Sequence, residues 1–193
     1  MTGYVLGIEL SWAAWYASWI VAAWFTAPVV KRSPATVVAY VLELPGFFLL
    51  LAVAPRGMLN LPLWQPSATL GWVLFVLNLP GFAFAWWARW TLGRLWSGTI
   101  TRKEDHHLVD SGPYGLVRHP IYTGLMASVA ATVAAKATPI AVMGGLLLVI
   151  GWTIKARLEE RFLATELGAS AYEAYRARVP MLIPFGTRSG TMP

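Results

Sequence analysis

The chain has 193 residues, of which 57% are hydrophobic and 12% charged, with a net charge of +6; soluble domains carry about 25% charged residues. Together with a mean hydropathy of +0.56, this excludes an ordinary soluble domain and implies an all-α integral membrane protein, because segments in lipid must satisfy their backbone polar groups internally. The absence of cysteine excludes disulfides, thiolate nucleophiles and cysteine-based metal sites.

The first apolar segment runs from Tyr4 to Val30 and stops at Lys31-Arg32. It lacks the basic start and small-residue cleavage site of a secretory signal, so it is expected to be a retained span. The second, Ala35 to Ala54, stops at Pro55-Arg56-Gly57, and the NLPLWQP that follows suits an interfacial loop. The third runs from Ala68 to about Leu92. The second and third each place a polar residue before Leu-Pro-Gly-Phe, in ELPGFFLL at 43–50 and NLPGFAFA at 78–85. Pro-Gly bends a helix. The plain expectation is two kinked helices packed side by side. The sharper one is a bent cavity with Glu43 and Asn78 at its wall as substrate-side residues, since an intramembrane acid is usually partnered and functional. Glu9 reads as interfacial. The fourth segment begins at Ile121 and fades near Lys136, and KATP joins it to the fifth, Pro139 to Ile154, as a helical hairpin. About five spans result.

With five spans, thirteen of the fifteen basic residues fall in the loops after spans one, three and five, leaving Arg56 and Lys136 opposite. Basic loops stay cytoplasmic. The amino terminus is therefore expected outside and the carboxyl tail inside. Arg outnumbers Lys eleven to four and Ala is frequent, which points to a GC-rich bacterial genome and the cytoplasmic membrane.

Two constellations carry chemistry. In DSGPYGLVRHPIYTGLM, 110–126, Pro120 suits a first helical position. The helix start would present amides to an anion beside Arg118 and His119; contact with lipid headgroups is the bland alternative. The second constellation, Lys155 to Arg161, places Glu159 and Glu160 about a turn beyond Lys155 and Arg157. Local ion pairs would explain it; a cationic ligand group held by a glutamate is the alternative. Gly168 is expected to end that helix. Tyr172 and Tyr175 share a face of the next one, and VPMLIPF reads as a lid lying on the membrane. An amino-acid-like ligand offers a carboxylate and an ammonium to these two patches. S-adenosylmethionine has both, with a sulfonium suited to aromatic faces such as Tyr114, Tyr122 and Tyr175. Spacing alone does not select it.

The succession LVDSGPYGLVRHPIYTG, a hairpin, RLEERFLATELG, YEAYRARVP and IPF resembles the isoprenylcysteine carboxyl methyltransferase family, within the membrane phospholipid methyltransferase superfamily. The likeness is detailed from about Arg89 to Phe185. It implies S-adenosylmethionine as cofactor, held by Tyr114, Gly115, Leu116, Val117, Arg118, His119, Pro120 and Tyr122 with Glu159 and Glu160. It implies catalytic roles around Glu159, Glu160, Arg157 and Lys155, one of the two cations orienting the acceptor, and a tail that closes over the site. Residues 1–88 would then be the membrane helices giving acceptor access and 89–193 the catalytic region. The acceptor would be lipophilic or membrane-associated, entering from lipid for carboxyl O-methylation or phospholipid N-methylation.

Other readings stand beside this one. Membrane sterol reductases, which bind NADPH, resemble the family around the same loop but carry Asn where this chain has Ile121. A small transporter or assembly factor is the non-catalytic alternative, although only Glu43 and Asn78 hint at a midplane site. His106 and His107 with Asp105 or Asp110 lack a third ligand at convincing spacing, so no metal is expected. Basic loops with Trp90 and Trp96 suit a membrane interface, and no nucleic acid is expected.

Overall fold

The computed structural model describes residues 2–52, 61–104 and 107–186. Its helices are α1 (Gly3–Ala23), α2 (Thr36–Leu51), α3 (Ala68–Leu92), α4 (Pro120–Lys136), α5 (Pro139–Leu167) and α6 (Ala169–Arg178). A two-stranded antiparallel ribbon, β1 (Val29–Arg32) and β2 (Thr101–Lys103), joins the loops after α1 and α3. The molecule is mostly helical, as composition implied. Among the described residues, three helices are long and apolar enough to cross a membrane: Gly3–Ala23, Ala68–Leu95 and Pro139–Glu166. The other two apolar helices are shorter, α2 with 16 residues and α4 with 17, against the ~20 of a full span.

The first segment differs from its expected extent. α1 stops at Ala23, and Val29 and Val30 belong to the ribbon instead. Pro28 cannot continue a helix, and the β-branched pair after it suits a strand. The expected stop of the second segment at Ala54 to Gly57, with Arg56, lies outside the described residues, as does Arg188. The hairpin is as read: Ala137, in the left-handed region at φ 53°, and Thr138 turn α4 into α5. α5 then runs on unbroken for 29 residues, and Gly168, at φ 100°, ends it. The expected division at residue 88 falls inside α3.

The two Pro-Gly helices are not packed side by side. α3 packs chiefly on α4, and α2 chiefly on α5. Each proline lies within its helix, and the glycine after it sits tightly against the partner. A Cβ on Gly81 would collide with the Gly124 carbonyl and Ser128 Oγ. A Cβ on Gly144 would collide with the backbone of Gly46 and Leu50. Lipid tails are as apolar as leucine, so helices in lipid associate through such small-residue contacts and not through hydrophobic exclusion. α1 completes the bundle with Tyr4, Ile8, Trp12 and Trp15 buried on one face. Trp12 and Trp15 meet Phe82 of α3, and Trp12 meets Phe47 of α2.

The helix ends segregate. At one end the ribbon, Lys31 and Arg102 meet Glu166 near the close of α5. At the other, Lys136 bonds Glu9 at 3.1 Å and reaches the Ala52 carbonyl, while Leu63 N–H donates to Ala137. The ends of α1, α3 and α5 thus share one face, and the ends of α2 and α4 share the opposite one.

Candidate active site

Pro120 opens α4 behind His119, and the first turn of α4 packs beside the polar extension of α5. There Arg118, 4% exposed, donates from Nε to Glu160 Oε1 at 2.7 Å. Its Nη1 donates to the carbonyls of Arg176 and Val179. His119 lies between the acidic pair, Nε2 at 3.2 Å from Glu160 Oε1 and Nδ1 at 3.6 Å from Glu159 Oε2. Tyr122 Oη donates to Glu159 Oε1 at 2.7 Å. The loop ahead of α4 and the acids of α5 therefore meet directly.

Their partners differ from the local ion pairs that the spacing suggested. Glu159 and Glu160 do not pair with Lys155 and Arg157. Consecutive residues on a helix point about 100° apart, so Glu160 turns to Arg118, His119 and Arg176, with Arg176 Nε at 3.5 Å from Oε2. Glu159 turns to Tyr122 and His119. Arg157 is exposed and away from the cavity lining. Lys155 instead faces Glu43 of α2 at 3.4 Å, and its Nζ sits 5.0 Å above the Tyr40 ring. Nor is the guanidinium of Arg118 open to an anion, since a glutamate and two carbonyls take it.

The chain's own C-terminal segment covers the same spot. Arg118 N–H donates to Pro180, His119 N–H to Met181, and Thr123 Oγ1 to Leu182 at 2.6 Å. VPMLIPF thus straps across the start of α4, with Ile183 and Phe185 exposed. Burial alone would lower the His119 pKa, but the two carboxylates at its ring nitrogens outweigh that and raise it above its ordinary value of 6.5. Burial pushes the Tyr114 phenol well up, so it remains neutral.

These groups border a cavity of about 300 Å³, at the lower end for small-molecule sites. Of the expected residues, Glu43, Tyr114, Arg118, His119, Tyr122, Lys155, Glu159 and Tyr175 line it. Val117, Pro120 and Glu160 are buried behind it, Leu116 is 43% exposed, and Gly115 lies in the exposed loop. Tyr175 Oη donates to the Tyr114 carbonyl at 2.8 Å, tying α6 to the loop. Asn78 is not at the wall. Fully buried, its side-chain amide donates to Ser11 Oγ, and its backbone carbonyl accepts from Ser128 Oγ, gluing α1, α3 and α4. Asp105 and His106 of the metal reading lie outside the described residues; His107 lines the cavity.

Sequence reading missed the aromatic wall. Trp15, Tyr16 and Trp19 of α1, Tyr40 and Phe47 of α2, and Trp152 of α5 all line the cavity. His119, Tyr122 and Trp152 form a stack, with ring centroids 5.6 and 6.4 Å apart. A signal was present: Trp12, Trp15 and Trp19 recur at helical spacing, and so do Tyr40, Glu43 and Phe47. The wall suits a ligand with a positive centre, and Glu159 and His119 beside it suit an ammonium and a carboxylate.

Residues 72–165 match the model of the isoprenylcysteine carboxyl methyltransferase (ICMT) family, so the resemblance read from the sequence is borne out over that segment. It is 31% identical over 117 residues to the cobalt-zinc-cadmium resistance protein CzcN of Cupriavidus metallidurans, covering 58% of this chain and 50% of that protein. It is 29% identical over 153 residues to methanethiol S-methyltransferase 2 of Bradyrhizobium diazoefficiens, covering 64% and 50%. It is 34% identical over 100 residues to protein-S-isoprenylcysteine O-methyltransferase B of Arabidopsis thaliana, covering 49% of each. The chain spans about half the length of these relatives.

Proposed function

We propose that the protein is an S-adenosylmethionine-dependent methyltransferase of the bacterial cytoplasmic membrane, its site facing the cytoplasm and its acceptor lipophilic. One observation carries the reading: His119 and Tyr122 at the start of α4 converge with Glu159 of α5 on one aromatic-walled cavity. The ICMT-family match and the methyltransferase names of two relatives support it.

The residues fit the cofactor. Glu159 would take its amino group, and His119, whose cationic form the acidic pair favours, would lie beside its carboxylate. The faces of Tyr122 and Trp152 would border the sulfonium. When bound, the cofactor supplies an electrophilic methyl group. Glu160 does not touch the ligand in this scheme; it anchors Arg118, His119 and Arg176, so that the first turn of α4 and α6 hold their places. Fixing the reacting groups in line and keeping water out are what such a site contributes. The strap at Pro180 to Leu182 closes the cytoplasmic side. Tyr16 lines the cavity yet is 42% exposed, which suits entry of a lipophilic acceptor between α1 and α2.

Incubating the purified protein with methyl-labelled S-adenosylmethionine and a total membrane lipid extract tests the reading. Label is expected in the organic phase. Label passing only to water-soluble acceptors would overturn the lipophilic assignment.

A further inference from the structure

The acceptor end of the same cavity has a chemistry of its own, and the inference drawn from it rests on the methyltransferase reading. Glu43 and Lys155 are 7% and 5% exposed, and Nζ stands 3.4 Å from each carboxylate oxygen. Glu43 Oε1 nevertheless has no hydrogen-bond partner among the described residues. The lysine is therefore committed, while one oxygen of the acid is unsatisfied. Tyr40 and Tyr122 flank the pair at 5.0 and 5.8 Å from Nζ. Glu159 brings a second carboxylate to the same lining.

This arrangement discriminates between acceptors. A carboxylate would meet Glu43 and a lysine already neutralised by it, and would have to break a buried pair to be held. A thiol would satisfy Glu43 only weakly. An ammonium would complete the acid's hydrogen bonding and lie among aromatic faces that favour a cation. Its apolar chain would leave past Tyr16, toward the lipid face that Val37, Val41 and Leu44 give α2.

We propose that Glu43 is the headgroup seat for a lipophilic amine, which is the methyl acceptor, and that Lys155 positions Glu43 and does not grip an acceptor carboxylate. The ammonium proton passes to Glu43, the freed nitrogen pair forms the N–C bond, and the donor's S–C bond breaks with its electrons left on sulfur. Glu43 then returns the proton to water. Ammonium plus sulfonium donor thus give methylated ammonium, neutral thioether and one proton.

The test uses the full chain in phosphatidylcholine nanodiscs, with empty discs as blank, titrated calorimetrically with octylamine, octanethiol and octanoate. Octylamine is expected to bind at least about tenfold more tightly than either. Glu43→Gln combined with Lys155→Gln removes the acid without stranding a buried charge, and should abolish that preference. Equal or tighter octanoate or octanethiol binding by the unmodified protein would overturn the proposal even if the variant failed to fold, and so would a preference that survives in a folded variant. Titration with S-adenosylhomocysteine separates the premises. Loss of that binding with octylamine selectivity intact sinks the donor reading and leaves the amine seat standing. Donor binding with octanoate preferred does the reverse.

Discussion

Glu159 and Glu160 are neighbours in sequence with opposite assignments. Glu160 is enclosed by Arg118, His119 and Arg176, so Glu160→Gln should leave Arg118 buried without its counter-charge. Removing one partner of a buried pair costs roughly 3–5 kcal/mol, and thermal denaturation in detergent should show a clear drop in Tm; an unchanged Tm would contradict the assignment. His119 adds a pH dependence. Its folded pKa lies above 6.5, so the protonated ring's contribution is fully present below 6.5 and is lost as pH rises through the higher folded value. Stability should therefore fall on the alkaline side of that window, with a shallower slope in His119→Gln, as pH-dependent denaturation would record. Except for Arg176, the residues of this cluster could be named from Arg-His-Pro-x-Tyr and Glu-Glu alone. Who holds whom could not, because sequence spacing does not set the rotation of α5 relative to α4, and that rotation decides which acid meets Arg118.

At the scale of elements, apolar length predicted the helices well and their partners poorly. The Pro-Gly motifs suggested two like helices side by side, but α3 went to α4 and α2 to α5, because Gly81 matches Gly124 and Gly46 matches Gly144. Such matches are complementary surfaces distant in sequence, invisible to local pattern. Gly81→Val should force α3 from α4, costing at least the ~1–3 kcal/mol of an overpacked core, whereas Leu77→Val, on a 56% exposed position of the same helix, should cost far less. Paired unfolding curves would check this, and equal losses would contradict it. The ribbon was missed for a different reason. Val29 and Val30 continue the apolar run of α1, and only Pro28 marks the change to a strand.

For the whole molecule, charge segregation was the most legible feature. The ends of α1, α3 and α5 share one face, which Lys31, Arg102 and Glu166 tie together, and Lys136 and Glu9 pair on the opposite one. Sidedness can be read chemically because the chain has no cysteine of its own. Arg94→Cys, at an exposed position on the basic face, should react with an impermeant maleimide only after cells are broken. Leu61→Cys, 63% exposed near the opposite face, should react on intact cells. The reverse pattern would invert the proposed orientation and put the cavity on the wrong side for a cytoplasmic methyl donor.

The central claim is that the start of α4 and the acidic turn of α5 enclose a binding site for S-adenosylmethionine. Calorimetric titration of the nanodisc-embedded protein with S-adenosylhomocysteine tests it most directly. Saturable one-site binding is predicted, weakened about tenfold or more in Glu159→Gln through loss of a charge-assisted hydrogen bond of about 1.5–3 kcal/mol. No binding by the unmodified protein, or equal affinity in a folded Glu159→Gln, would contradict it.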